Sequence, residues 1–240
     1  FEMPILMDPD EVNYTLFHST TRQIVRQTSP VPAMKAVKNE AEQSGFRRAM
    51  LRDGIAMTRF LCWLDGVRDD ETFRSRSGAL TELSVSQRLS ALRSEQQGFR
   101  GLSFDTIAAY GDHGAIVHYE PTLESDVPLQ PEGLLLLDSG AQYTDGTTDI
   151  TRTIALGPVT TEQKQIYTLV LKGNIQLQLL RFPDGASGTQ FDAIARRPLW
   201  HEGLNFLHGT GHGVGAYLNV HEGPHQIRME YKPAPLRAGM

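Results

Sequence analysis

Gly133-Leu134-Leu135-Leu136-Leu137-Asp138-Ser139-Gly140-Ala141-Gln142-Tyr143, then Thr144-Asp145-Gly146, then Thr147-Thr148-Asp149-Ile150-Thr151-Arg152-Thr153-Ile154-Ala155-Leu156: residues 133–156 read as two strands joined through a tight turn. Asp-Gly between apolar, β-branched runs is a hairpin signal. Outward from it the periodicity turns helical. A long helix is expected over 40–64, capped by Asn39 with Glu42 in the capping-box position. Phe46, Ala49, Met50, Met57, Phe60, Leu61 and Leu64 share one face of it. A loop rich in charge and serine follows over 66–80. A second helix starts near Thr81-Glu82 and buries Val85, Leu89 and Leu92. A third is capped by Thr160 with Gln163, and Ile166, Leu169, Val170, Leu177 and Leu180 line it. A fourth starts at Thr189, with Asp192 in its first turn and Pro198 kinking or ending it. Further short strands are expected over 114–119, 205–208 and 213–220. Helices mixed with hairpins in this way argue for an α+β fold and against a doubly wound parallel sheet.

The chain has 240 residues, 40% hydrophobic and 21% charged, which is ordinary globular composition. Its net charge of −5 comes without a basic stripe, so no nucleic-acid partner is expected. Uninterrupted apolar runs are far shorter than the roughly 20 residues of a membrane span, so no membrane partner is expected either. The one cysteine, Cys62, cannot form an internal disulfide. With no basic-then-apolar leader at the start, a reducing cytoplasm is the expected location. Ser29-Pro30-Val31-Pro32 biases the backbone to extended geometry and marks a domain boundary, giving units over 1–29 and 30–240. A start at Phe1 and a stop at Gly239-Met240 suggest that both ends are cut.

Two clusters carry chemistry. Asp138 and Asp149 stand on opposite arms of the hairpin, and antiparallel pairing brings them near each other. A carboxylate beside a buried strand needs a partner, because an isolated desolvated charge is costly. A divalent cation shared by both would supply one. Equally compatible with the hairpin alone is a turn-capping Asp138 and an Asp149 paired with Arg152. The second cluster is His208-Gly209-Thr210-Gly211-His212-Gly213-Val214-Gly215, followed by Asn219-Val220-His221-Glu222-Gly223-Pro224-His225. Four of the eight histidines fall between residues 208 and 225. His208 and His212 are spaced like zinc ligands on a helix, but four glycines over 209–215 argue against a helix there. Extended chain, where glycine permits close backbone approach, fits better. Gly211-x-Gly213-x-x-Ala216 is a loose dinucleotide match without the strand-then-helix context it needs. Carboxylates with imidazole suit Mn²⁺, Co²⁺ or Zn²⁺ better than a thiolate set would. His118, on an apolar segment, reads by itself as a core residue.

The Asp-Ser-Gly-x-x-Tyr…Gly-Thr-Thr-Asp-x-Thr-Arg-Thr hairpin from Asp138 to Thr153 and the His208–Pro224 run together resemble the Xaa-Pro aminopeptidases. These are pita-bread metallopeptidases, the group that also includes prolidase, methionine aminopeptidase and creatinase. The likeness is to the three-domain aminopeptidase P branch and covers roughly residues 33–240. Gly101-Leu102-Ser103-Phe104-Asp105 and His118-Tyr119-x-Pro121 also fit it. It implies a pita-bread catalytic domain over 30–240, incomplete at its C-terminal side, preceded by the tail of a creatinase-like domain over 1–29.

The resemblance also implies roles. Asp138 would bind one metal, Asp149 would bridge two, and His212 would be the imidazole ligand. His118, His208 and His221 would be the catalytic histidines that steer substrate and move protons. Two further glutamate ligands follow Gly-Met in the family pattern, so this chain holds three of five expected ligands and is expected to be inactive alone. Glu222 and Glu230 fall in the substrate-side segment and are not ligands. The implied cofactors are two divalent ions, Mn²⁺ first, with Zn²⁺ or Co²⁺ as substitutes. The implied substrates are peptides with proline second, hydrolysed at the first bond by metal-activated water, and the implied assembly is a homodimer. The competing expectations are a prolidase-type dipeptidase and a non-catalytic binding module of the same fold.

Overall fold

The computed structural model describes residues 3–75 and 80–240. The chain opens with a parallel pair, β1 (Ile5–Met7) and β2 (Ile24–Arg26), joined through α1 (Tyr14–His18). The proline pair then starts a short helix, α2 (Val31–Ala36), in place of the expected extended stretch. Pro30 has helical backbone angles, and Pro32 sits in the first turn, where its missing N–H has no intrahelical acceptor to lose.

The long helix α3 (Glu40–Asp69) begins as expected. Asn39 Oδ1 accepts from Glu42 N at 3.0 Å, and Glu42 Oε2 accepts from Asn39 N at 2.9 Å. It runs five residues beyond the expected end and buries Ala49, Ala56, Met57, Phe60 and Leu64. Met50, assigned to that face, is instead 43% exposed. α4 (Glu71–Arg74) occupies part of the expected loop, and residues 76–79 of that loop lie outside the described residues. α5 (Glu82–Ser94) starts at Thr81 and buries Val85, Leu89 and Leu92. Both helices pack on one sheet to form the main core, with Leu135 and Leu137 facing them.

β3 (Phe99–Leu102) and β4 (Ile107–Tyr110) precede a 3-10 turn over Gly111–Ala115. The strand expected over 114–119 is absent. The chain there doubles back, with Gly111 and His118 both at positive φ. The hairpin forms, but each arm is broken into two strands. β5 (Leu134–Ser139) pairs with β8 (Ile150–Ala155) in a sheet ordered β4-β5-β8. β6 (Ala141–Tyr143) pairs with β7 (Gly146–Thr147) in a second sheet ordered β3-β6-β7. The breaks fall at Gly140 and at Thr148-Asp149, where the ladder lapses and the arms cross closely. A methyl group on Gly140 would overlap Thr148 O and Ser103 Oγ. The polar groups at the crossing are met locally. Ser103 Oγ donates to Thr148 O at 2.9 Å, Ala141 N donates to Thr148 Oγ1 at 2.9 Å, and Ser103 N donates to Gly140 O at 3.1 Å.

Below the hairpin, Arg93 Nε and Nη2 donate to the two Asp53 oxygens at 2.8 and 2.9 Å, and Tyr143 Oη donates to Asp53 Oδ1 at 3.0 Å. All three side chains are fully buried, so the trio ties α3, α5 and β6 together in low dielectric. Burial, with the Asp53 charge, pushes the Tyr143 phenol well above its ordinary pKa.

α6 (Thr161–Gln178) and α7 (Gly188–Trp200) pack against each other. Of the residues expected to line α6, Ile166 and Val170 are exposed, and Leu180 lies past its end. The helix docks instead through Gly173, which abuts Ala195 O so closely that only glycine fits. Pro198 does not end α7, which continues to Trp200. The strands expected over 205–208 and 213–220 are displaced. β9 (Gly211–Gly213) pairs antiparallel with β10 (Glu222–Ile227), and Leu218 and Asn219 at positive φ turn the chain between them.

The crossing makes Gly140→Ala destabilising by about 1–3 kcal/mol, the usual cost of overpacking. Gly54→Ala, in the interior of α3 with open space around it, gains about 0.4–1 kcal/mol from the restricted unfolded chain. Urea unfolding of both variants checks this; equal stability for Gly140→Ala would mean that the arms do not cross as described.

Candidate metal centre

Asp138 sits on the central strand β5, between Ile107 of β4 and Thr151 of β8. Asp149 lies two residues before Thr151, just outside β8, and near enough to Asp138 for its charge to act there. Thr151 Oγ1 donates to Asp138 Oδ1 at 2.7 Å. Burial raises the Asp138 carboxyl pKa, and the Asp149 charge adds to the effect against the Thr151 bond.

His212 approaches from β9. The β9–β10 register places it opposite Gln226 and pairs Gly213 with Glu222, which brings His221 beside it. Gly213 permits this pairing, since any side chain there would meet Glu222 O and the His225 ring. His212 Nε2 lies 3.1 Å from Asp149 Oδ2, with the side chains 26% and 20% exposed. His212 Nδ1 lies 2.8 Å from Gly213 O. A carbonyl accepts only, so Nδ1 carries the proton and Nε2 is left to face Asp149. The Asp149 contact raises the His212 pKa against the opposing effect of burial. The His221 ring stands edge-on to His212 at 4.3 Å and 89°. Burial first, then the His212 charge, lowers the His221 pKa.

One ligand atom each from Asp149, His212 and His221 lie within 4.8 Å of one another. That trio is the group of ligand type found among the described residues. Asp138 is outside it but close enough to feel the charge of Asp149, His118 and Thr151's bond. His118 is exposed at the tip of the turn after β4, at φ 59°. Its charge reaches both Asp138 and His221. His208 stands apart, exposed, with Nδ1 2.8 Å from Gly209 O and its ring 4.8 Å from Phe206. Glu222 is buried between Lys38 (2.9 Å) and Lys35 (3.1 Å). Burial pushes its pKa up, but the two lysines outweigh that and hold it below the usual carboxylate value. Its charge is matched by the two lysines. Glu230 pairs with Arg228 at the surface.

Sequence reasoning did not find Thr151 as the partner of Asp138, nor the anchor of the His118 turn. That anchor is Glu82, fully buried on α5. It accepts from Tyr110 N at 2.6 Å, Tyr119 Oη at 2.7 Å and His113 Nδ1 at 2.9 Å, and so closes the turn from both sides. A buried glutamate in the first turn of α5 could have raised the question, but its partners lie 28 to 37 residues away.

The donor set fits a divalent cation. Nδ1–H of His212 is committed to a carbonyl, which is how metal-bound histidines are usually oriented. The Nε2 lone pair then faces a carboxylate oxygen, a repulsive contact unless a proton or a cation lies between them. Oxygen plus imidazole nitrogen suits Mn²⁺, Zn²⁺ or Co²⁺.

Comparison with known proteins agrees. Residues 44–240 match the model of metallopeptidase family M24. Aminopeptidase P1 of Lotus japonicus is 43% identical over 98% of this chain, which spans 38% of that protein. A probable Xaa-Pro aminopeptidase P of Penicillium rubens is 47% identical over 90% of this chain and 35% of its own length. Among solved structures, X-prolyl aminopeptidase from Caenorhabditis elegans, described as a cytosolic enzyme with a di-nuclear active site, superposes with a TM-score of 0.82 at 44% identity. That match covers 90% of this chain and 34% of that one. Prolidase from Pyrococcus furiosus shares the fold at a TM-score of 0.80 and 23% identity, over 99% of this chain and 66% of that one. The chain thus spans somewhat over a third of the length of the curated relatives it matches, and its architecture is the pita-bread fold. On the family match and this fold together, the chain belongs to metallopeptidase family M24.

Proposed function

We propose that these residues form part of the active site of a metal-dependent aminopeptidase that hydrolyses the first peptide bond of peptides with proline second. The convergence of Asp149, His212 and His221 on one small volume supports this reading most directly. Identities of 43% and 47% to aminopeptidase P proteins favour it over the prolidase reading, whose structural likeness at 23% concerns the fold alone.

In this reading Asp138, Asp149 and His212 hold the metal side. When bound, two divalent ions, Mn²⁺ first, would supply a water ionised near neutral pH, since a metal can lower its pKa from roughly 15.7 to about 7. Thr151 keeps Asp138 oriented, and the Gly213 carbonyl keeps His212 Nε2 aimed at Asp149. Burial and the neighbouring His212 charge lower the His221 pKa, which favours the neutral imidazole, the form able to accept a proton. His118, on its anchored turn, and His208 would meet the substrate. Glu222 cannot act as the base, because Lys35 and Lys38 hold it as a paired anion.

The resemblance places two further glutamate ligands in the part of the relatives that this chain does not span. We therefore expect the 240-residue chain by itself to bind fewer than two ions and to hydrolyse no Xaa-Pro bond. Residues 1–29 are read as the tail of a preceding domain, and the protein as a cytoplasmic homodimer acting on small peptides.

In a polypeptide of the relatives' length, Xaa-Pro-Xaa tripeptides are cleaved and Xaa-Pro dipeptides are not; the reverse preference would make it a prolidase. His221→Ala lowers kcat by about 10²–10³-fold, the usual effect of removing one group that stabilises developing charge, while the Mn²⁺ content measured by elemental analysis is unchanged. Loss of metal in that variant would make His221 a ligand instead. His212→Ala, by contrast, is expected to lose metal.

A further inference from the structure

Asp192 and Arg196 on α7 have no role in the site described above. They are 1% and 0% exposed. Arg196 Nε donates to Asp192 Oδ2 at 2.5 Å, one helical turn away. Nη2 adds a second, longer bond to Asp192, to Oδ1 at 3.3 Å, and it and Nη1 also reach beyond the helix. Nη2 donates to His208 O at 2.8 Å, while Nη1 donates to Phe206 O and, at 3.2 Å, to Asn205 Oδ1. The guanidinium also lies 3.8 Å from the Phe206 ring centroid. Asp192 completes the arrangement by accepting from Thr210 Oγ1 at 2.6 Å. The backbone of residues 206–210 thus hangs from one ion pair, and the next residues are β9 with His212.

The helix itself is fixed on the other side of the same strand pair. Gly188, its first residue, sits against Gln226 O so closely that a side chain would overlap it. Gln226 is the residue paired with His212. Thr210 N also donates to Ile227 O at 2.8 Å. Helix α7 therefore holds β10 by its first turn and the approach to β9 by its second and third.

We propose that Arg196, fixed by Asp192, is a positioning residue for the histidine segment, setting the backbone path from Phe206 to Thr210 that presents His208 and His212. The catalytic consequence rests on the metallopeptidase reading; the backbone consequence does not. Arginine is specified because its planar fork reaches a carboxylate and two carbonyls at once. The ammonium of lysine carries its three donors on one nitrogen and cannot span them.

The test uses Arg196→Lys and the milder Thr210→Val, which removes only the hydroxyl bond to Asp192. Hydrogen–deuterium exchange on the full chain is read first. Amides over 206–212 are expected to exchange faster in both variants, while amides in the centres of α3 and α5 keep their protection. In a polypeptide of the relatives' length, Mn²⁺ affinity by calorimetry is expected to fall about 10–100-fold in Arg196→Lys, the usual effect of disturbing groups behind a metal ligand. The loss in Thr210→Val is smaller and in the same direction, and kcat falls more than KM rises. Should Arg196→Lys fail to fold, Thr210→Val decides. Unchanged exchange over 206–212 in a folded variant, or faster exchange spread evenly over the chain, overturns the proposal. If the unaltered protein binds no Mn²⁺, the functional reading fails while the exchange result still judges the positioning role.

Discussion

The absence of a side chain at Gly140 is the constraint on which the arrangement depends. The two arms of the hairpin cross there closely enough that Gly140 meets the carbonyl of Thr148. A crossing of this kind interrupts the ladder and leaves backbone groups without strand partners. A buried polar group left unpaired costs about 1–3 kcal/mol. Ser103 and Thr148 accept and donate the missing bonds, so the break is stable. Because of it, one hairpin serves two sheets, with Asp138 near the end of β5 and Asp149 in the interruption of the other arm. A regular two-stranded ribbon would have continued pairing through Asp149 and committed its backbone to the ladder.

The acids of this chain divide into two populations. Asp53, Asp192 and Glu222 are buried against Arg93, Arg196 and the two lysines. Glu82 is satisfied by three donors instead. These groups fasten helix to sheet and loop to helix. Removing one member of such a pair strands the other charge in low dielectric, which costs about 3–5 kcal/mol. Asp138 and Asp149 are treated differently. The Asp149 charge adds to the burial that raises the Asp138 pKa, and among the described residues neither acid has a lysine or arginine ion pair. A fold that neutralises its other buried carboxylates so carefully, yet sets these two side by side, has local conflict where function is expected.

What the sequence discloses depends on how far apart the interacting residues are. The caps at Asn39 and Thr160 are local patterns of three or four residues, and both form. The hairpin and its pair of aspartates follow from pleat and turn, also local. The break at Gly140 is set by Ser103, whose hydroxyl contact with Thr148 spans 45 residues, so no window on the hairpin displays it. β4 is only four residues long and was hidden behind the more β-branched segment that follows. That segment turns because Glu82 gathers its ends. The exposed apolar side of α6 defeated a periodicity argument, because Gly173, invisible to hydrophobic counting, chose the docking face. At the site, the glycine density over 209–215 correctly argued against a helix, and strand pairing then brought His212 and His221 together across the turn.

The clamp on Glu222 has a mechanical meaning. Lys38 is as deeply enclosed as the carboxylate it holds, and its own N–H is bonded to Gly239 O. Pulling the pair apart would expose two bare ions to a medium that cannot solvate them. The segment from Lys35 to Lys38 therefore moves with the strand next to His221 as a single strut.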